Sequence, residues 1–211
     1  MSEADTGSDD AHVPDVREVD SNLFVTVSGP PGCGATTVAE GLASALDCGY
    51  VSGGDIFREL AEERGMSLSQ LIARAEESDE IDRALDRRLR IVAEQWGAAN
   101  KPFVLESRLA GWVAGNRADL RIWLDAPEEV RVERIQGREE LESEMRVREV
   151  SDVGRYETYY DVDLGDRSFY DLSVNTARWS EAGVLDVVLT AVEDYQTAAD
   201  EGAFPTEDVD L

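Results

Sequence analysis

The sequence predicts an α/β fold in which one parallel sheet of five strands carries helices on both of its faces. Short apolar runs alternate along the chain with longer segments whose apolar residues recur every three or four positions, the period of a helix. The chain has 211 residues, 42% of them hydrophobic, which suits one globular domain with a buried core. No segment of the sequence repeats. The alternation of strands and helices predicts parallel strands joined by right-handed crossovers.

Five short apolar runs are the predicted strands, and four of the longer segments have a clear helical period. Because parallel strands end at the same edge of a sheet, ligands are expected beyond the carboxyl ends of these strands. The strands are predicted at residues 23–29, 49–53, 102–107, 120–126 and 171–176, and the helices at 36–46, 79–96, 127–138 and 180–195. The four tryptophans are expected to pack in the core or at its edges: Trp96, Trp112, Trp123 and Trp179.

Both ends of the chain are acidic and lack a strand or helix pattern. Segments of this composition bury too little apolar surface to fold by themselves. We therefore expect disordered acidic extensions at residues 1–21 and 197–211, and one folded domain from about 22 to 196.

The charge balance restricts the partners of this protein. There are 46 acidic and 20 basic residues, for a formal net charge of -26, which disfavours binding to nucleic acid or to an anionic membrane. Lys101 is the sole lysine, and the other basic residues are arginines. Such a surface resembles that of salt-adapted, halophilic archaeal proteins. Small molecules are the expected partners.

Two cysteines, Cys33 and Cys48, are too few to form the disulfide framework of a secreted protein of this length. No apolar run approaches the roughly 20 residues that a membrane-spanning helix needs. The first residues also lack the basic and apolar regions of a signal peptide. We expect a cytoplasmic monomer.

The stretch SGPPGCGATTVAE, residues 28–40, lies where the first strand turns into a helix. Its glycines let the backbone fold back, so that successive N–H groups and the helix N-terminus point at phosphate oxygens. Thr36 occupies the hydroxyl position that ligates Mg²⁺ in such loops. The predicted nucleotide contacts of the loop are Gly29, Pro30, Pro31, Gly32, Cys33, Gly34, Ala35, Thr36 and Thr37.

Ala35 stands where such loops carry a lysine that reaches the β- and γ-phosphates. Lys101 cannot replace it, because Lys101 precedes the third strand and is expected at the opposite edge of the sheet. The substitute must therefore be an arginine or a cation from solvent.

Five further segments carry a family resemblance. The segments are GDIFREL (54–60), EIDR (80–83), ESRLAGW (106–112), RYETYYDVD (155–163) and YDLSVNTARW (170–179). They resemble the archaeal type of cytidylate kinase, in the nucleoside monophosphate kinase family, over residues 23–195. Adenylate kinases share the phosphate loop and the pattern RIQGR, but RLAGW and NTARW favour the cytidylate branch.

The resemblance implies the three-layer P-loop kinase fold with two additions. A helical insertion at about residues 53–90 would bind the acceptor monophosphate, and a short lid at about 138–155 would close over the site. The implied reaction moves the γ-phosphoryl group of ATP to CMP or dCMP with the help of Mg²⁺. Its products are ADP and CDP or dCDP.

The resemblance also implies roles for individual acceptor-side residues. Arg58 and Arg108 would clamp the acceptor phosphate, because a planar guanidinium matches phosphate oxygens. Asp55 lies beside them after the second strand, and Glu106 would hold Mg²⁺ through water.

On the donor side, the resemblance implies that Arg134 and Arg138 contact ATP from one helix face. Arg148 and Arg155, together with Arg146, would be lid arginines that close over the transferring group. With Arg108, the implied catalytic residues are Arg138, Arg148 and Arg155. Ordinary exposed charge on a helix is the alternative for all of these arginines.

The acceptor base has several candidate readers. A carboxylate that accepts from the cytosine amino group, beside an arginine that donates to the ring, would recognise this base. Asp82 and Arg83 fit this description, as do Asp86 and Arg87, while surface pairing of these charges is equally consistent with the sequence.

Three functions stay open: a working (d)CMP kinase, a nucleotide-binding regulator derived from this family, and a kinase for another monophosphate. Ala35, the short lid and Gly154, which stands beside Arg155 where a basic residue is common, weaken the donor and lid side. The acceptor motifs are intact. The segments RLAGW and NTARW argue against the third function, and the sequence does not decide between the first two.

Overall fold

The structure is a computed structural model that describes residues 18–135, 154 and 156–195. Its centre is a sheet of five parallel strands in the order β2-β3-β1-β4-β5. Every predicted strand is present, which confirms the predicted fold class. The strands are β1 Phe24–Ser28, β2 Gly49–Ser52, β3 Phe103–Glu106, β4 Leu120–Asp125 and β5 Leu172–Asn175.

Helices cover both faces of the sheet. The predicted helical insertion between β2 and β3 contains α2, α3 and most of α4. Residues 156–160 form a further helical segment. The helices are α1 Ala35–Ala45, α2 Gly53–Glu63, α3 Leu68–Glu77, α4 Glu80–Gly97, α5 Ala110–Ala114, α6 Glu128–Ile135 and, in this numbering, α7 Glu181–Asp194.

Alternation along the strands divides the core into two layers, because successive side chains of a strand point to opposite faces. Val25 and Val27 pack with α1 and α7 on one face. Phe24 and Phe103 pack with the insertion helices and α5 on the other. The two layers hold the carboxyl edge of the sheet in place.

Serine residues fix where the helices near this edge begin. The Ser52 hydroxyl accepts a hydrogen bond from the Gly54 N–H at 3.1 Å and so caps α2. Ser67 forms a capping box with Gln70 at the start of α3. Ser180 accepts from the Gly183 N–H and caps α7.

The folded part begins earlier than the sequence predicts. Val19 is buried against α1, and its N–H donates to the Ala45 carbonyl at 2.9 Å. The predicted boundary between residues 21 and 22 is therefore too late. Lys101 is exposed ahead of β3, at the amino edge of the sheet, as expected. In the described ranges no helix is both long and apolar enough to span a membrane.

Three of the four tryptophans pack as predicted. Trp96 stacks on Phe103, and Trp112 stacks on Phe169 with 3.8 Å between ring centroids. Trp123 is buried in the same aromatic cluster. Trp179 differs, since it is 52% exposed. It lies just before the capped start of α7, outside the helix, which leaves its indole at the sheet edge.

Candidate active site

A cavity of about 620 Å³ opens at the carboxyl edge of the sheet. It is bounded by the loop between β1 and α1, the start of α2, one face of α4, the turn after β3, the end of α6 and the start of α7. Asp55 and Arg83 lie outside this lining. The predicted site residues that line it are residues 29–37, Arg58, Asp82, Glu106, Arg108 and Arg134.

The phosphate loop, residues 29–37, has the backbone shape that its sequence predicts. Gly32 and Gly34 have φ angles of 78° and 94°, in the left-handed region that favours glycine. Gly34 is followed at once by α1, whose first N–H groups have no partner within the helix. The loop therefore presents backbone donors and a helix N-terminus to the cavity, as an anion site requires.

Ala35 is only 8% exposed, and it packs into the core layer that contains α1 and α7. It also lines the cavity. A longer side chain at this position would therefore start beside the phosphate loop, whereas the methyl group contributes no charge there.

Two arginines of α6 hold the loop from outside. Arg131 donates to the Pro31 carbonyl at 3.1 Å and to the Ala126 carbonyl at 3.0 Å. Arg134 lies within 3.5 Å of the Gly32 and Cys33 carbonyl oxygens. Its strongest contacts are to Thr176, 2.8 Å to the hydroxyl and 2.9 Å to the carbonyl.

Thr176 completes this network from the end of β5. Its hydroxyl donates to the Cys33 carbonyl at 2.8 Å. Burial is the main reason why the pKa of the Cys33 thiol rises to about 12, so this cysteine remains a neutral packing group in the loop.

On the acceptor side, Arg58 lines the cavity and pairs with Asp55 at 2.6 Å. Both side chains are more than half exposed. Arg108 follows β3 and lines the same cavity. The structure thus brings Arg58 and Arg108 to one cavity, while Asp55 contacts it only through Arg58.

Glu106 ends β3 in a half-buried position between the two sides. Parallel pairing of β2 and β3 sets Ser52 opposite Glu106, and the Ser52 hydroxyl donates to Glu106 Oε2 at 2.8 Å. Burial raises the pKa of Glu106, while the hydrogen bonds from Ser52 and Tyr50 act in the opposite direction. This carboxylate is fixed in place before any ligand binds.

The cavity face of α4 carries two buried carboxylates, Asp82 and Asp86, one turn apart. Asp86 is 1% exposed and accepts a hydrogen bond from the Tyr160 hydroxyl at 2.9 Å. Arg83 points elsewhere, since it pairs with Asp79 at 2.7 Å and lies over the Tyr159 ring. The expectation that Arg83 lines the base pocket therefore does not match its position.

Comparisons with known proteins identify the family. The AAA domain family matches residues 25–157. A cytidylate kinase of Haloquadratum walsbyi is 50% identical over 192 residues, which cover 89% of this chain and 98% of that protein. A cytidylate kinase of Haloarcula marismortui is 53% identical over the same length, with the same coverage of each chain. The chain belongs to the cytidylate kinase family.

A solved gluconokinase from Sinorhizobium meliloti has a similar fold, with a TM-score of 0.58 at 14% identity. The match covers 88% of this chain and all of that one. At this identity the likeness concerns the fold alone, and it confirms the P-loop kinase fold. Membership of the cytidylate kinase family confirms the resemblance inferred from the five sequence segments, and with it the prediction of a nucleoside monophosphate kinase.

Several residues of this kinase site escaped sequence reasoning. Arg131 lies three positions before Arg134, so the helical period placed both on one face. Ser52 was detectable from the expected pairing of the strand ends. Tyr160 lies in the segment RYETYYDVD, which the resemblance had already singled out. Thr176 gave no local signal, because its partner Cys33 is 143 residues away.

The remaining predicted site residues belong to the segment predicted to form a lid. Arg138, Arg146, Arg148 and Arg155 lie outside the described residues. Of the lid segment predicted at 138–155, the described part includes only Gly154, which is helical and exposed.

Proposed function

We propose that this protein transfers the γ-phosphoryl group of ATP to CMP or dCMP. The observation that carries the proposal is that one cavity joins the phosphate loop to two acceptor-side arginines and a pair of buried carboxylates. Membership of the cytidylate kinase family supports it. Phosphoryl transfer needs two anionic nucleotides held in line and shielded from water, and this cavity offers a separate end for each.

At the donor end, N–H groups of the phosphate loop would bind the ATP phosphates. Arg134 reaches the end of β5, where Trp179 lies half-exposed at the cavity wall. A guanidinium and an indole both pack well against a purine ring. We therefore assign the adenine to this end. The predicted lid arginines Arg138, Arg148 and Arg155 would contact the transferring phosphoryl group.

At the acceptor end, Arg58 and Arg108 would bind the monophosphate of CMP and direct one of its oxygens at the γ-phosphorus. That oxygen forms the new P–O bond, while the bond from the γ-phosphorus to its bridging oxygen breaks. The electron pair stays on the leaving ADP. The arginines balance the charge of two phosphate groups that otherwise repel each other.

Magnesium fits the donor set of this cavity. Thr36 and Glu106 line it from the two sides, and the described residues contain no cluster of three acidic, histidine or cysteine side chains that would hold a metal alone. This suits an ion that is bound mainly by nucleotide phosphates and water. Thr36 would ligate Mg²⁺ directly and Glu106 through water, and the ion would neutralise phosphate charge.

For the acceptor base, we assign recognition to Asp82, supported by Asp86 and Tyr160. Cytosine presents an amino donor where uracil presents a carbonyl acceptor. A carboxylate accepts hydrogen bonds and cannot donate them. Asp82 would therefore favour cytosine, while Tyr160 keeps the neighbouring Asp86 carboxylate hydrogen-bonded.

The exposed surface agrees with a protein that works alone on small molecules. In the described ranges, the large hydrophobic side chains that are exposed are Met66, Leu68, Ile91 and Trp179. Four such side chains are few for the broad apolar face of an obligate dimer. We propose a monomer in the cytoplasm, where Cys33 and Cys48 would stay reduced.

A second candidate, a nucleotide-binding regulator with little turnover, is favoured by one observation. Ala35 supplies no charge at the position from which lysine reaches the transferring phosphate. A protein with this loop would retain backbone binding of ATP and lose part of the catalysis.

One assay tests both candidates. ADP release is measured with ATP and Mg²⁺ in molar KCl, with CMP, dCMP, UMP and AMP as acceptors, beside calorimetric binding of each nucleotide. We expect turnover of CMP and dCMP at least about tenfold above UMP and AMP, because the uracil carbonyl would face the Asp82 carboxylate, acceptor against acceptor. Binding of CMP without any turnover would support the regulator. Preference for UMP or AMP would overturn the assignment of the acceptor.

A further inference from the structure

We propose that Arg131 is a positioning residue that sets the phosphate loop for ATP and supplies part of the positive charge that Ala35 lacks. The inference rests on the proposed function only in that the loop binds a nucleoside triphosphate. It concerns a residue outside the five family-like segments and outside the cavity lining.

Two contacts of the Arg131 guanidinium are to backbone carbonyls, one in the phosphate loop and one just before α6. Its Nη1 donates to the Pro31 carbonyl at 3.1 Å, across 100 residues of sequence, and its Nε donates to the Ala126 carbonyl at 3.0 Å. The side chain is 5% exposed. The backbone of Arg131 also touches the loop, because a Cβ built on Gly32 would lie 2.6 Å from the Arg131 carbonyl oxygen.

Anchoring the carbonyl of Pro31 fixes the direction of a phosphate-binding group. The Pro31 carbonyl and the Gly32 N–H belong to one planar, trans peptide, so they point in opposite directions. When Arg131 holds the carbonyl on the α6 side, the Gly32 N–H must face away from α6. The Thr176 hydroxyl donates to the Cys33 carbonyl in the same way, and it thereby orients the Gly34 N–H of the same peptide.

The charge of Arg131 also reaches the loop. A guanidinium stays protonated in proteins, and a buried charge is screened much less by salt than an exposed one. The positive charge of Arg131 acts on the Cys33 thiol in the loop. Burial is the larger effect and raises the thiol pKa, whereas Arg131 lowers it. A phosphate bound to the same loop would experience the same field with a favourable sign.

The position of Arg131 behind the loop separates its role from that of a lysine. A lysine side chain would extend into the cavity and contact the transferring phosphate. Arg131 donates to carbonyl oxygens behind the loop and does not line the cavity, so it would strengthen the binding of phosphates without touching the γ-phosphoryl group. Its loss should therefore weaken ATP binding more than it lowers kcat at saturating ATP.

The test is a ligand series with Arg131→Met and Arg131→Lys in the full chain. Calorimetry measures the affinities of adenosine, ADP and ATP in molar KCl, and thermal melting records stability separately. We expect Arg131→Met to weaken ATP binding at least about tenfold, as for the loss of one charge-assisted contact, while adenosine affinity changes less than about threefold. Arg131→Lys keeps the charge but loses the two-pronged guanidinium, so its ATP affinity should lie between that of Arg131→Met and that of the native chain.

Arg178→Met is the matched control, since Arg178 is an exposed arginine beside the same end of β5. It should leave the ratio of ATP affinity to adenosine affinity unchanged. If Arg131→Met does not fold, Arg131→Lys decides by the same ratio. A ratio equal to that of the native chain in the folded variants, with only the melting temperature lowered, would show a purely structural arginine. The test measures binding and not turnover, so it can be interpreted even if the protein does not phosphorylate CMP.

Discussion

The donor and acceptor ends of the cavity are held together by different kinds of contact. At the donor end, the Pro31 carbonyl accepts from Arg131, 100 residues further along the chain, and the Cys33 carbonyl from Thr176, 143 residues further. At the acceptor end, Arg58 pairs with an aspartate only three residues before it. The donor contacts are tertiary and partly or fully buried, whereas the acceptor pair is local and exposed.

Each end is therefore prepared for its ligand in a different way. An exposed ion pair contributes only about 0 to 1 kcal/mol, so Arg58 can leave Asp55 for a phosphate at little cost. A buried guanidinium that is already hydrogen-bonded to the loop needs no such rearrangement. Substitutions at the acceptor end should therefore change the affinity for one ligand, while those at the donor end should change how phosphate is presented.

The largest expected effect is the loss of acceptor binding in Arg58→Ala. Removing one charge-assisted phosphate contact should weaken CMP binding by roughly ten- to a hundredfold. Binding of ATP should change less than about threefold, because the loop and its arginines are untouched. Calorimetry with each nucleotide measures both values.

Arg64→Ala is the control for Arg58, because Arg64 caps the far end of the same helix α2 and does not line the cavity. It should bind both nucleotides as the native chain does. An unchanged CMP affinity in Arg58→Ala would show that Arg58 does not bind the acceptor phosphate, and the proposed difference between the two ends would then be wrong.

The next largest effect is expected at the donor end, from Ala35→Lys. One well-placed cation supplies several kcal/mol to a transferring phosphoryl group, so kcat should rise at least about tenfold. ATP affinity should change less, since the backbone N–H groups of the loop already bind the phosphates. Steady-state kinetics in molar KCl separates kcat from the KM for ATP.

Ala35→Met is the matched variant, because methionine has a similar stem without the charge. It should not raise kcat. Native turnover within the usual kinase range of about 1 to 100 s⁻¹, with no gain in Ala35→Lys, would mean that another cation already does this work. Tight binding of CMP by both forms without turnover would favour the regulator.

The same contrast explains what the sequence could predict. Strand and helix periods predicted all five strands, and the glycines of the loop predicted its place at the end of β1. The position of Arg58, Glu106 and Arg108 at the cavity was predictable because each lies at or soon after the end of a strand. The contact between Thr176 and Cys33 was not, because it depends on how β5 packs beside β4 in three dimensions. Arg83 illustrates the opposite case. It lies on α4 as predicted, but its ion pair with the nearby Asp79 holds its side chain away from the cavity.

The smallest effect, and the one that links the two ends, is expected for Glu106→Gln. Burial raises the pKa of this carboxyl above its ordinary value, so the folded chain holds the proton more tightly than the unfolded chain. Stability is therefore lost as pH rises from the ordinary glutamate pKa through the folded one, because ionised Glu106 carries a desolvation cost that its hydrogen bonds offset only in part. Glutamine keeps an acceptor for Ser52 and Tyr50 and cannot ionise. At pH 8 the variant should melt at a higher temperature than the native chain, and each 1 kcal/mol gained would raise the melting temperature by roughly 2 to 4 °C at this size. The gain should shrink as the pH is lowered toward about 4.3, the ordinary pKa of a glutamate. Turnover should fall at every pH, since the variant no longer offers a carboxylate to Mg²⁺.

Glu59→Gln, which removes an exposed carboxylate from α2, controls for the change in net charge. A lower melting temperature for Glu106→Gln at pH 8 would mean that the ionised carboxylate stabilises the folded chain and that Ser52 and Tyr50 outweigh burial.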